Sequence, residues 1–197
     1  MIDSNSPVKI DFKKLTITSL VFGFFLVPVH ELGHVICDWV TGHPATMSYA
    51  RSYLLSGGRT PFLGLLGGPA LPIIVAATAV VLIFRGRNPS LFYPVAVQAS
   101  IERLVPYLCG ILPKDERALA RVAGWNMYSF KHIFLSLEML LLGLIIISFF
   151  KHKSGVKQSV LIFAIALTCL VVSGGIGICI VERFVFPEQF KIQFGPH

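Results

Sequence analysis

Residues 15–40 read LTITSLVFGFFLVPVHELGHVICDWV, and this stretch decides the fold. It is an apolar run long enough to cross a bilayer, since about 20 helical residues span the hydrocarbon layer. Its second half nevertheless carries His30, Glu31, His34 and Asp38, side chains that are costly at that depth. The segment is therefore either a polar clasp between helices or a functional site. It is also too long for a cleavable signal peptide and is expected to stay in the protein.

The rest of the chain repeats the apolar pattern. Further runs lie at about 62–84, 91–112, 130–150 and 159–180, so five spans are predicted in one polytopic membrane domain over 1–197. Hydrophobic residues make up 54% of the chain and charged residues 14%, where soluble domains carry about 25% charged. The expected fold is an all-α integral membrane protein, multi-pass in the cell membrane and in contact with the lipid bilayer.

The net charge of +7 is spread around the spans. Lys9, Lys13 and Lys14 precede the first run, and Lys151, Lys153 and Lys157 separate the last two. Basic residues beside spans pair with anionic lipid, and their dispersal argues against a nucleic-acid partner. With five spans, the N-terminus shares its side with these short basic loops, which points to the cytoplasm. Cys37, Cys109, Cys169 and Cys179 form no C-x-x-C pair and read as small buried hydrophobes.

Two connections are longer than turns. Between residues 41 and 61, Tyr49, Arg51 and Tyr53 alternate ahead of Gly57-Gly58, which predicts a β-hairpin at the membrane surface. Such an edge can hold an extended peptide through main-chain hydrogen bonds, so Tyr49, Arg51 and Tyr53 are candidate substrate-binding residues. Residues 113–129, with Lys114, Asp115, Glu116, Arg117 and Arg121, are expected to form an amphipathic turn or short helix.

The chemistry resides in His30-Glu31-Leu32-Gly33-His34, which fits H-E-x-x-H. Histidines four apart on a helix share a face and can bind one metal, and neutral imidazole suits zinc. Glu31 lies between them, placed to take a proton from water at the metal as catalytic base. Random placement of so few His and Glu residues gives an expected count on the order of 0.01 or less, so chance is a poor explanation. Pro28, two residues earlier, frees a backbone carbonyl and can open the helix to water. Gly64, Gly67, Gly68 and Pro69 open the second span with residues suited to close helix packing. Gly68 and Pro69 are also candidates for contact with an unwound substrate.

A catalytic zinc site normally has three protein ligands, and two histidines leave one to find. Asp38, Glu102, Asp115, Glu116 and Glu138 are the candidates. Asp38 shares a helix with both histidines and cannot easily curl back to their metal. Glu102 adjoins Arg103 and could be its ion-pair partner. Asp115 emerges on the side of the membrane reached by His30 and His34, because the first and third spans run the same way.

These motifs resemble those of the site-2 protease family of intramembrane zinc metalloproteases. His30-Glu31-Leu32-Gly33-His34 with Gly42 resembles its first core helix, and Gly67-Gly68-Pro69-Ala70 resembles its G-P-x-x-N segment. Arg103-Leu104-Val105-Pro106 followed by Asp115 resembles its N-x-x-P…D-G segment. The likeness covers roughly residues 15–130. It implies a Zn2+ cofactor, Asp115 as third ligand, and hydrolysis of peptide bonds in membrane proteins or peptides. Leu71 or Pro72 and Arg103 replace the family's asparagines, and Glu116 replaces its glycine. These departures leave a second reading open: a catalytically degenerate protein of the same fold that binds or regulates other membrane proteins. A di-iron desaturase needs several histidine clusters, and only one is present.

Overall fold

The computed structural model describes residues 10–57, 60–152 and 155–186. Lys9, Gly58 and Lys153 lie outside the described residues. The chain is mostly helical: α1 (Phe12–Val40), α2 (Phe62–Phe84), α3 (Pro89–Ile101), α4 (Leu104–Leu108), α5 (Lys114–Ala123), α6 (Ser129–Lys151) and α7 (Val156–Ile176). A π-helical stretch, Gly177–Glu182, and the short α8 (Arg183–Val185) continue α7. Strands β1 (Ala45–Met47) and β2 (Ser52–Leu54) form an antiparallel hairpin.

Among the described residues, four helical segments are long and apolar enough to cross a membrane: α1, α2, α6 and the continuous run Val156–Val185. The expected uninterrupted span over 91–112 is instead split. Helix α3 has 13 residues, which at 1.5 Å per residue covers about 20 Å of a roughly 30 Å hydrocarbon layer. The break has a local cause. Pro106 has no N–H to offer the carbonyl of Glu102 four residues back. Glu102 and Arg103 fall at this break and direct their side chains toward His30.

Polar contacts set the directions of the helices. The Asp11 N–H donates to the Ser90 hydroxyl at 2.8 Å, so α1 and α3 start at the same end. Lys151 and His152 reach the Phe84 and Ile83 carbonyls, which joins the ends of α2 and α6 there. Gln98, fully buried on α3, donates to the Ser19 carbonyl of α1 and the Ala166 carbonyl of α7. Around it packs the main apolar core, with Leu26, Ile83, Tyr93, Val97, Ile145 and Ile162. A smaller cluster of Tyr107, Leu119, Ala120, Phe130 and Phe134 lies under α5.

Helices α1 and α2 cross at backbone contact. A Cβ on Gly33 would collide with the Gly67 carbonyl, and one on Gly67 with the Gly33 carbonyl. This close approach, which only glycine permits, brings the second half of α1 against the start of α2. The hairpin caps the same end. Its register pairs Ala45 with Leu54, Thr46 with Tyr53 and Met47 with Ser52. Only Tyr53 of the three alternating residues is in a strand; Tyr49 and Arg51 belong to the turn, and Gly57 follows β2. The strand begins later than the alternation suggests because the Ser48 N–H bonds the Arg51 carbonyl and closes the turn there.

Candidate metal centre

His30 and His34 lie one turn apart on α1, and both are buried. Each ring has an anchor at Nδ1. His34 Nδ1 lies 2.6 Å from the Gly64 carbonyl of α2, an acceptor that requires the proton on that nitrogen. His30 Nδ1 lies 3.3 Å from Glu102 Oε1. Anchoring Nδ1 leaves Nε2 as the donor atom and fixes the ring plane, the usual outer arrangement of metal-binding histidines.

Asp115 meets both Nε2 atoms. Its Oδ2 is 3.1 Å from His30 Nε2 and 3.7 Å from His34 Nε2. A tetrahedral zinc site with bonds of about 2.0–2.1 Å has ligand-to-ligand edges of roughly 3.3 Å, and these separations bracket that value. His30, His34 and Asp115 are a group whose donor atoms all lie within 4.8 Å of one another and could hold a metal ion. The residues thus fit the metal in donor type and number, and two of the three donor separations lie near the tetrahedral edge.

Asp115 sits in the first turn of α5, outside the membrane-crossing helices. Burial pushes its carboxyl up, but the adjoining His30 and His34 rings and the Arg103 guanidinium outweigh burial and hold it well below the usual carboxylate range. It is therefore an anion at neutral pH, as a ligand must be.

Arg103 brings a cation to this place. Its Nη2 is 2.8 Å from Asp115 Oδ2 and 2.8 Å from His30 Nε2. Glu116, fully buried, receives Nη1 at 3.2 Å and the Tyr107 hydroxyl at 2.7 Å. Glu138 on α6 accepts the Arg103 backbone N–H at 3.2 Å. Glu116 and Glu138 therefore anchor Arg103 and do not join the donor group. Glu102 serves His30 Nδ1, with Arg103 Nε 4.0 Å away. Asp38 is buried against α2, where a Cβ on Gly64 would strike it, and is not among the grouped donors.

Glu31 is half-buried and faces a cleft of about 250 Å3. The cleft is bounded by Glu31 and His34 of α1, Arg51 and Ser52 of the hairpin, and Lys114 and Asp115 of α5. Ser52 lines the same cleft wall beside Glu31.

The other expected substrate residues are arranged differently. Arg51 lines the cleft. Tyr53 lies in β2 beneath the Arg51 guanidinium, 5.8 Å from its ring centre, and is not part of the cleft wall. Tyr49 is 5% exposed and turns the other way, toward α1 and Gly177. Gly68 and Pro69 are buried within α2, and Gly68 lies directly against the His34 ring. Sequence reasoning missed Ser52, whose signal was its place one residue after Arg51 in the predicted hairpin. It also missed the Gly64 carbonyl, because a backbone acceptor leaves no side-chain signature.

In comparisons with known proteins, no family model, curated protein or solved structure matched the chain.

Proposed function

We propose that the chain is an intramembrane zinc metalloprotease that hydrolyses peptide bonds of membrane-associated proteins. The observation that carries this reading is the convergence of His30 Nε2, His34 Nε2 and Asp115 Oδ2 beside the carboxylate of Glu31. The likeness of residues 15–130 to the site-2 protease family supports it. In this reading α3 and α4 together complete a fifth, broken pass of a multi-pass cell-membrane protein whose N-terminus is cytoplasmic.

His30, His34 and Asp115 would hold Zn2+. When bound, zinc supplies a Lewis acid and brings the pKa of water toward neutrality. Glu31 receives the proton of the attacking water and returns it to the departing amine, so the carboxylate ends the cycle as it began. Substrate backbone binds along β2. Arg51 and Leu55 use their main chain inward, to Ser48 and Pro44, so the amides of Ser52 and Leu54 point away from β1 and can pair with an added strand.

The test compares purified wild type, His30→Ala and Glu31→Gln for bound zinc and for cleavage of a membrane-anchored peptide. Zinc near one equivalent in wild type, lost in His30→Ala and kept in Glu31→Gln, with cleavage only in wild type, is the expected pattern. One observation favours the non-catalytic alternative: the Arg103 guanidinium lies against two of the three donor atoms, where a second cation is repelled. Zinc-free wild-type protein with unchanged partner binding in Glu31→Gln would establish that alternative.

A further inference from the structure

Pro28 is inside α1, four residues after Phe24. Proline has no N–H, so the Phe24 carbonyl loses its helical partner. An unpaired carbonyl at membrane depth is costly, and something must satisfy it. The Tyr49 hydroxyl does: it donates to the Phe24 carbonyl at 2.5 Å. Its ring packs on Phe24 with centroids 5.3 Å apart. The phenol also rests on Gly177, where a Cβ would overlap Oη and Cζ. Tyr49 thus inserts from the hairpin turn between α1 and the start of the π-helical stretch.

We propose that Tyr49 is a positioning residue: its hydroxyl caps the carbonyl exposed by Pro28 and so fixes the hairpin over Glu31. The chain runs from Tyr49 through Ala50 to Arg51 and Ser52, the hairpin's part of the cleft wall. From Pro28 it runs to His30 and Glu31 within one turn. One hydrogen bond therefore ties the two walls of the cleft together at their common root. The tie is a structural fact of the hairpin; its service to catalysis rests on the protease reading.

Amide hydrogen exchange of the full-length protein in detergent, followed over residues 45–57 with bound zinc measured in parallel, tests the tie. Tyr49→Phe keeps the ring and removes the hydroxyl. It should speed hairpin exchange by roughly 3–10-fold, the range for one lost hydrogen bond, with zinc unchanged. In a Pro28→Ala background the new alanine offers the missing N–H, and adding Tyr49→Phe should change exchange by less than about 2-fold. Gly177→Ala should displace the phenol and act like Tyr49→Phe, whereas Gly175→Ala, with open space around it, should not. Wild-type exchange in Tyr49→Phe, or the same acceleration in both backgrounds, overturns the proposal. On a cleavable substrate, Tyr49→Phe should raise KM several-fold with kcat within about 2-fold. If Glu31→Gln leaves cleavage untouched, the protease reading falls while the exchange result still decides the tie.

Discussion

Gly68→Ala tests the candidate metal centre from the side of packing. The methyl group it adds would meet the His34 imidazole, with Cδ2 at 2.7 Å and Cε1 and Nε2 nearer. Ordinary contact begins at 3.4 Å, so the ring must back away by about 0.7 Å at Cδ2 and further at Nε2. Parting the helices instead would give up the backbone contact of Gly33 with Gly67, so shifting the ring is the smaller loss. The ring must therefore move, and it loses its 2.6 Å bond to the Gly64 carbonyl as it does. Disturbing the support of a metal-binding histidine costs about 10–100-fold in affinity, and here Nε2 itself is displaced, so a loss at or above the upper end is expected. Competition with a zinc chelator on detergent-purified protein measures it, with Gly143→Ala on α6, where nothing lies within 4 Å, as the control. Wild-type zinc affinity in Gly68→Ala would refute the assignment of His34 Nε2 as a ligand.

Four further outcomes are expected. Glu31→Gln should retain zinc and lose cleavage by roughly 10²–10⁴-fold, as for removal of a general base, whereas Asp115→Ala should lose zinc; equal zinc in the two variants counts against the ligand set. Glu102→Ala should weaken zinc binding by about 10–100-fold by freeing His30 Nδ1, measured by the same competition. Leu54→Pro removes an outward-pointing amide without touching the hairpin's own pairing, and should slow cleavage more than Leu54→Ala; equal rates would argue against strand addition on β2. Burial pushes the Tyr49 phenol up to about 12 from 10.0. A raised folded value stabilises fully below the unfolded one and is lost as pH rises through the folded one. The stability gap between wild type and Tyr49→Phe should therefore hold below pH 10 and close toward pH 12; a gap that widens there would contradict the burial.

Legibility in the sequence followed periodicity and motif chemistry. The apolar runs that become α1, α2, α6 and α7 were readable because a bilayer demands length and apolarity, and both are local properties. The run at 91–112 misled because hydropathy averages over a window, while the break at Glu102–Arg103 depends on one missing N–H and one tertiary ion pair. The hairpin was legible as an element, but the phase of its turn was not. Alternating Tyr49, Arg51 and Tyr53 looks like one strand, yet Tyr49 is claimed by a carbonyl 25 residues earlier.

The same division runs through the site. His30, Glu31 and His34 were legible because one helical turn sets their relation. Asp115 could be reached only through the shared direction of two segments, and its partner Arg103 shows what the sequence hides. Read alone, Arg103-Leu104-Val105-Pro106 gives no sign of its partners. In the fold, Arg103 is held by Glu116, which Tyr107 holds in turn, and it reaches Asp115 and His30. Arg103 and Glu116 thus form one buried pair, in which the cation and the anion satisfy each other. Removing Arg103 leaves buried Glu116 with only the Tyr107 hydroxyl, whereas removing Glu116 leaves Arg103 its contact with Asp115. Arg103→Asn should therefore destabilise the protein unless Glu116→Gly accompanies it, and the double variant should recover stability with a donor group relieved of its neighbouring cation. Thermal unfolding of the two single variants and the double variant decides this, and additive losses would show that the two side chains do not stabilise each other.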